Sequence, residues 1–521
     1  MTGTVRLVRA ALRRDRWLVL WWTVGLVALY WVTAVSIPQT YTSQHALDQA
    51  AAALDGNPAY VAMAGPTRAL DTVGGQVAWQ VQAFGAVLVG VMAMFVVVRH
   101  TRAEEEAGRD ELVRAAPVGR LAPAVSGVTV SLVVSVVAGV LSALAVASTG
   151  LDPADSFGLG LGLAGCGAVF TAGSYVAAQV AGTARGAYGL AGGAVGAAYA
   201  LRAVGDVGAP VLSWLSPIGW YEQLHAFSGL RWWPLAVIVV AAAGTLVLGG
   251  WLLGRRDYGD GLRPVSAGPA DGRLRGGLGL AVRLQRGSVI GWAGGLFLGG
   301  LAYGAIGNDV GDVIGDSQAV TDMLAQGGVS LVDGFYGTAA VMLAVIAAGF
   351  AVSSANRPWH EEEAGHAEIL LVTRLPRRSW LLGHTVVTVA GTIIVLGAAG
   401  VGLGGGYVLT TREAGHALRI GASVLEYIPA VLVVAAVARF LHGWAPRWLP
   451  VAWLPVVYAG VVVFFADLLR FPGWLRGLSP FDRLALAPAE PVRWLPIVLL
   501  AVVAAALSVA GQAGLGRRDI G

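Results

Sequence analysis

The chain has 521 residues, 56% of them hydrophobic and only 13% charged, against ~25% charged in ordinary soluble domains. A soluble chain this long divides into domains that each need a polar shell, and there is too little charge here to coat them. The net charge of +4 gives no support to a nucleic-acid partner, and a single cysteine, Cys166, rules out an internal disulfide framework. Glycine is abundant, at 74 residues with no collagen period, as in membrane helices that pack closely. All 35 basic residues are arginine.

A membrane span needs about 20 predominantly apolar residues. In chain order such segments fall near 17–37, 78–98, 122–147, 157–181, 186–205 and 233–253. A second set falls near 287–306, 337–355, 381–409, 419–438, 449–468 and 494–514. The fifth is interrupted by glycine and carries Arg202, so eleven spans is the alternative count. The first has an apolar core too long for a signal peptide. With the N-terminus inside, 26 of the 35 arginines fall on the cytoplasmic side. The positive-inside rule then predicts an inner-membrane protein with both termini in the cytoplasm. Trp21-Trp22 and Trp232-Trp233 read as interface anchors.

The sequence repeats itself. Residues 104–111 read EEEAGRDE and 361–368 read EEEAGHAE; GRRD recurs at 254–257 and 516–519. Ser216-Pro217 answers Ser479-Pro480, and Arg231-Trp232-x-Pro234 answers Arg493-Trp494-x-Pro496. Arg13, Arg16, Trp22 and Gly25 match Arg283, Arg286, Trp292 and Gly295. Charged matches in a constant order are not a coincidence of apolar composition. The expected fold is therefore an all-α polytopic membrane protein of about twelve transmembrane helices, built as two parallel six-helix pseudo-repeats. Its parts are a first half, 1–254, a cytoplasmic linker, 255–280, and a second half, 281–521.

The acidic segments look built for a partner. Thr101-x-x-Glu104 has a capping-box pattern, and the acidic residues fall in the first turn of a helix that stops before Pro117. The copy starts around Pro358 and stops before Pro376. Each is predicted as one helix of roughly four turns. A lone acidic loop is most simply solvated; two at equivalent positions point to docking of another protein.

With these motifs the chain resembles the permeases of type 2 ABC exporters, in particular the fused two-half kind of the actinobacterial tetronasin-exporter group. The resemblance covers essentially the whole chain. It rests on the basic helix before the first span, the repeated acidic loops, the Ser-Pro elements and the GRRD tails. It implies that the acidic loops are coupling helices seated in a separate ATPase, and assigns that role to Glu104, Glu105, Glu106, Gly108, Arg109 and Glu111. In the second half it assigns the same role to Glu361, Glu362, Glu363, Gly365, His366 and Glu368. It also implies interfacial helices at 4–16 and 275–286, outward-side hairpins or partial helices at 206–232 and 467–493, and export of a hydrophobic compound such as an antibiotic or drug. Gln76, Gln80 and Tyr336 would lie beside the central pathway, and Gly192 and Gly196 would allow the close approach of moving helices between the halves.

A phosphate-binding P-loop needs a lysine, and this chain has none. It is read as a transport subunit and not an enzyme, with no cofactor of its own. ATP and Mg would be bound by a partner ABC ATPase, in two copies because one chain supplies both halves. No metal site is expected: His360 and His366, six residues apart, diverge by about 240° on a helix. Glu426 and His384 are ionisable groups near membrane depth, where a substrate or gating role is the default. Tyr175 and Gln179 suit helix–helix hydrogen bonds. The alternative is an ion-coupled secondary transporter of two six-span halves. A lipid-modifying membrane enzyme would need a convergent acid, base or metal set, which is not evident.

Overall fold

Helices account for every regular element among the described residues of the computed structural model, which are all except residues 1, 55–57, 258, 263–275, 307–330, 374, 466–470 and 519–521. Eleven helices of these residues are long and apolar enough to cross a membrane. The one that falls short is the fifth segment, α10 (Ala184–Gly208), a regular helix of 25 residues whose hydropathy is lowered by its glycines and by Arg185, Arg202 and Asp206. The chain folds as two compact units, Met1–Gly268 and Pro269–Gly521. Most of the expected linker lies outside the described residues.

The first unit opens with the amphipathic helix α1 (Thr4–Arg14), set apart from the span α2 (Arg16–Thr40) by Asp15. Two short helices, α3 (Gln44–Leu54) and α4 (Pro58–Ala64), lead to the central span α5 (Val73–His100). Thr72 starts α5 by accepting the Gly75 amide at 3.0 Å, as an N-cap residue should. After α6 (Arg102–Glu106) and α7 (Arg109–Arg114) come the spans α8 (Ala122–Ala147) and α9 (Pro153–Val180). Beyond α10, the short α11 (Pro210–Ser213) and α12 (Pro217–Glu222) precede the last span, α13 (Trp233–Arg255).

The second unit keeps the order of spans and acidic segment. Its helices are α14 (Gly276–Ile306), α15 (Leu331–Ala355), α16 (Arg357–Glu363), α17 (His366–Leu371), α18 (Arg377–Thr411), α19 (Ala414–Ser423), α20 (Ile428–Trp444), α21 (Leu454–Phe465), α22 (Gly473–Arg476) and α23 (Trp494–Leu515). One difference departs from the sequence reading. Among the described residues the expected interfacial segment from 276 to 286 is not a separate helix but the start of α14, which runs unbroken for 31 residues. At the break in the first unit, the Asp15 carboxylate pairs with His100 at 2.8 Å and Arg99 at 3.1 Å. In α14 the neutral Gln285 instead meets Ser354 and His384 at 2.6 and 3.2 Å.

Packing follows what lipid permits. Bilayer tails give apolar helices no reason to associate, so contact area and small residues hold them together. A Cβ on Gly139 or Gly160 would sit 2.4 or 2.3 Å from the other glycine's carbonyl oxygen, so α8 and α9 touch backbone to backbone. Gly300, Gly304, Gly402 and Gly406 do the same for α14 and α18, at 2.1 to 2.3 Å. α5 and α15 are buried nearly throughout, whereas α13 and α23 expose Val239, Val240, Val247, Leu495, Leu499 and Val502, the surface lipid would cover.

Candidate functional site

Each acidic segment is two short helices, not the single four-turn helix expected. Gly108 and Gly365 break them, with φ of 69° and 70°. That left-handed conformation costs glycine nothing and ends the preceding helix. Thr101 does not form the capping box either: its hydroxyl donates back to the Val97 carbonyl at 2.6 Å, and Glu104 turns elsewhere.

The first acidic triplet ties three elements together. Glu104 accepts from Arg14 of α1 at 2.9 Å and from Arg109 at 2.8 Å. Glu105, with its side chain 7% exposed, lies between Arg102 at 3.0 Å and Arg256 at 2.5 Å. Glu106 accepts the Ala184 amide at 2.7 Å, at the start of α10. Arg102 and Arg256 are themselves fixed: both donate to the Asp260 carbonyl, and Arg256 also reaches Gln179 Oε1 at 2.8 Å. Gln179 thus links α9 to the end of α13, whereas the Tyr175 ring packs on Gly249.

The second triplet repeats the central contact. Glu362 accepts from Arg518 at 2.5 Å and contacts His442 Nε2 at 2.9 Å. Glu105 matches Glu362, and Arg256 matches Arg518, in the repeated motifs. The acidic triplets and the GRRD tails are therefore two halves of one contact, formed once in each unit. Glu361 pairs with Arg357 at 2.5 Å and stands 3.8 Å from His366, while Glu363 is exposed, 3.8 Å from His360.

With most carboxylates engaged inside the chain, the free surface of each segment lies on its second helix. α7 exposes Arg109, Glu111 and Leu112; α17 exposes His366, Glu368 and Ile369. Leu112 is 77% and Ile369 71% exposed, and they hold equivalent places in the repeat. Sequence reasoning passed over both. The signal was present, an apolar residue recurring at one register of an otherwise polar loop.

The other candidate residues are scattered. Gln76 is buried and donates to the Leu70 carbonyl at 2.8 Å, and Tyr336 is buried and donates to the Gly304 carbonyl at 2.9 Å. Gln80 is partly exposed. Gly196 has open space where a side chain would go, and Gly192 meets only the Met94 sulfur, at 3.3 Å. Glu426 is buried at 8% exposure with neither carboxylate oxygen hydrogen-bonded, and His384 stacks edge-on against Trp380. No cluster of three or more metal-ligating side chains exists among the described residues.

An all-helical, multi-pass membrane protein with the same acidic segment in each of its two units has an architecture that fits a membrane permease. The comparisons narrow the class. The family model described as the multidrug efflux system permease Rv1217c, C-terminal domain, matches residues 7–253 and 274–515. The multidrug efflux system permease protein Rv1217c of Mycobacterium tuberculosis is 38% identical over 528 residues, covering 100% of this chain and 95% of that protein. The chain belongs to this permease family.

Proposed function

We propose that this chain is the transmembrane permease of an ATP-driven exporter of drug-like or antibiotic compounds, resident in the cytoplasmic membrane with both termini in the cytoplasm. Its partner is a separate ABC ATPase, in two copies, which binds ATP and Mg. The observation that carries this reading is the duplicated acidic segment: a triplet wired to its own unit, ending in a helix that offers one unpaired apolar residue. Family membership supports the efflux role, and the absence of lysine supports an external ATPase. Lipophilic substrates of the polyketide-antibiotic kind fit the apolar chain and the resemblance of its motifs.

In this mechanism the ATPases grip α7 and α17. Force on α7 reaches α1 through Glu104–Arg14, α13 through Glu105–Arg256 and α10 through Glu106. Force on α17 reaches α20 and α23 through Glu362. The exposed Leu112 and Ile369 are the anchors, because an apolar side chain entering a pocket contributes more binding energy than a rim charge. Leu112→Asp with Ile369→Asp should abolish co-purification of the ATPase encoded beside this chain while leaving a monodisperse, folded permease. Undiminished recovery of the ATPase would remove the docking assignment. The glutamates are poor probes of docking, since their loss breaks contacts within the chain.

A further inference from the structure

A second polar cluster lies at the far end of the first unit, about 40 Å along α5 from the acidic triplet at 1.5 Å per residue. Arg202, fully buried on α10, donates to the Val61 and Met63 carbonyls at 3.2 and 3.1 Å. Tyr199 donates to the Met63 carbonyl at 2.6 Å, and Trp79 to the Gly65 carbonyl at 2.9 Å. Arg68 donates to the backbone carbonyl of Glu222 at 2.8 Å. Residues 60–70 are thereby strapped across the ends of α5, α10 and α12.

Under the strap sits the Glu222 side chain, 3% exposed, with neither carboxylate oxygen hydrogen-bonded to a donor. The Arg202 Nε is 3.5 Å from it and Nη1 is 3.7 Å from Asp206 Oδ2, but the hydrogen bonds of the terminal nitrogens go to the strap carbonyls. Another carboxyl, Asp206, lies beside Glu222 across the same Arg202 guanidinium. Asp206 Oδ1 accepts from Ser213 at 2.6 Å, while its Oδ2 is buried without a hydrogen bond. Two facing carboxyls can hydrogen-bond only by sharing a proton. The cavity beside Glu222, lined by Gly65, Arg68, Gln82 and His225, has a volume of ≈ 20 Å³, which is room for one water and not for a drug.

We propose that Asp206 and Glu222 form a proton-binding site, and that its proton locks the strap of residues 60–70 onto this end of the first unit. Arg202 and Asp206 of α10, Arg68 of the strap, and His225 and Arg231 after α12 are the charged or titratable groups around it, with the Tyr30–Tyr221 hydroxyl pair behind. Burial, with Arg68 and Arg231 nearby, lowers His225 to about 4, so it is neutral at pH 7. Burial raises Glu222 well above the usual carboxylate range; Arg202 opposes this and Asp206 adds to it. A carboxyl raised in the folded state gives stability that is complete below its unfolded value of ~4.3 and is lost as pH rises through the folded value. The lock therefore holds at acid pH and loosens as pH rises through that raised range. The register that aligns Ser216-Pro217 with Ser479-Pro480 puts Ala485 opposite Glu222, so the site belongs to the first half alone.

The test uses the full chain in lipid nanodiscs and does not depend on the export reading. In an infrared titration, wild type should show the carbonyl band of a buried protonated carboxyl persisting above the pH at which exposed carboxyls ionise, absent from Glu222→Gln. Asp206→Asn, which can donate to Glu222, should shift the loss of that band to lower pH. Trypsin cleavage after Arg68 should accelerate with rising pH in wild type and stay slow in Glu222→Gln. Superimposable carboxyl spectra for wild type and Glu222→Gln, or the same pH dependence of cleavage in both, would overturn the proposal.

Discussion

Arg256 and Glu105 are 151 residues apart in the chain and 2.5 Å apart in space. Both motifs were visible in the sequence, and each was visibly repeated; that one holds the other was not, because a motif shows which residues recur and not which recurring motifs touch. A buried ion pair adds little net stability when complete but leaves an uncompensated charge when one partner is lost. The Arg256 side chain is 4% exposed, and that of Arg518 24%. Arg256→Ala should therefore cost about 3 kcal/mol, the low end for a broken buried pair because Arg102 still faces Glu105. Arg518→Ala should cost about 1 kcal/mol, as solvent and His442 take up the loss. Thermal unfolding of the two variants in the same detergent checks the order. Equal effects would mean the two contacts are equally buried in the membrane-embedded protein.

At the scale of elements, the spans were legible because the bilayer imposes one rule, a long apolar helix with its own backbone satisfied. The weak fifth segment was legible for the same reason, through Arg202 and its glycines. Less legible was which glycines matter. Composition marks all of them alike, whereas close approach depends on the partner helix: Gly402 lies 2.1 Å, measured from an added Cβ, from the Phe297 carbonyl, and Gly196 meets nothing. Gly402→Leu or Gly304→Leu should push α14 off α18 and abolish folding and membrane yield. Gly196→Leu should leave yield and melting temperature unchanged, because its place on α10 is open within the unit. If Gly196 faces the moving surfaces of the exporter, the same variant loses transport. Normal yield from Gly402→Leu would show that the α14–α18 contact is not required.

For the whole molecule, repetition says most about function. Two units with the same order of spans, each with an acidic hinge at the end of its second span, would give a partner two similar handles on one chain. The handles are not identical. Arg109 and Asp110 in the first stand where His366 and Ala367 stand in the second, and among the described residues the first triplet alone reaches an interfacial helix and the start of a span such as α10. Two copies of one ATPase would thus meet unequal permease surfaces, and force from each would enter by a different route. Under the proposed function, direction follows from the side on which those handles lie: the positive-inside rule applied to the sequence would make the handle face cytoplasmic, and ATP would be spent there. Inside-out vesicles containing the permease and its ATPase should therefore accumulate a lipophilic dye when given ATP, since their lumen corresponds to the cell exterior. Leu112→Asp with Ile369→Asp should stop accumulation without changing passive dye leakage. ATP-driven loss of preloaded dye from the same vesicles would reverse the direction assigned here, and accumulation that persists in the double variant would place the coupling contact elsewhere on the chain.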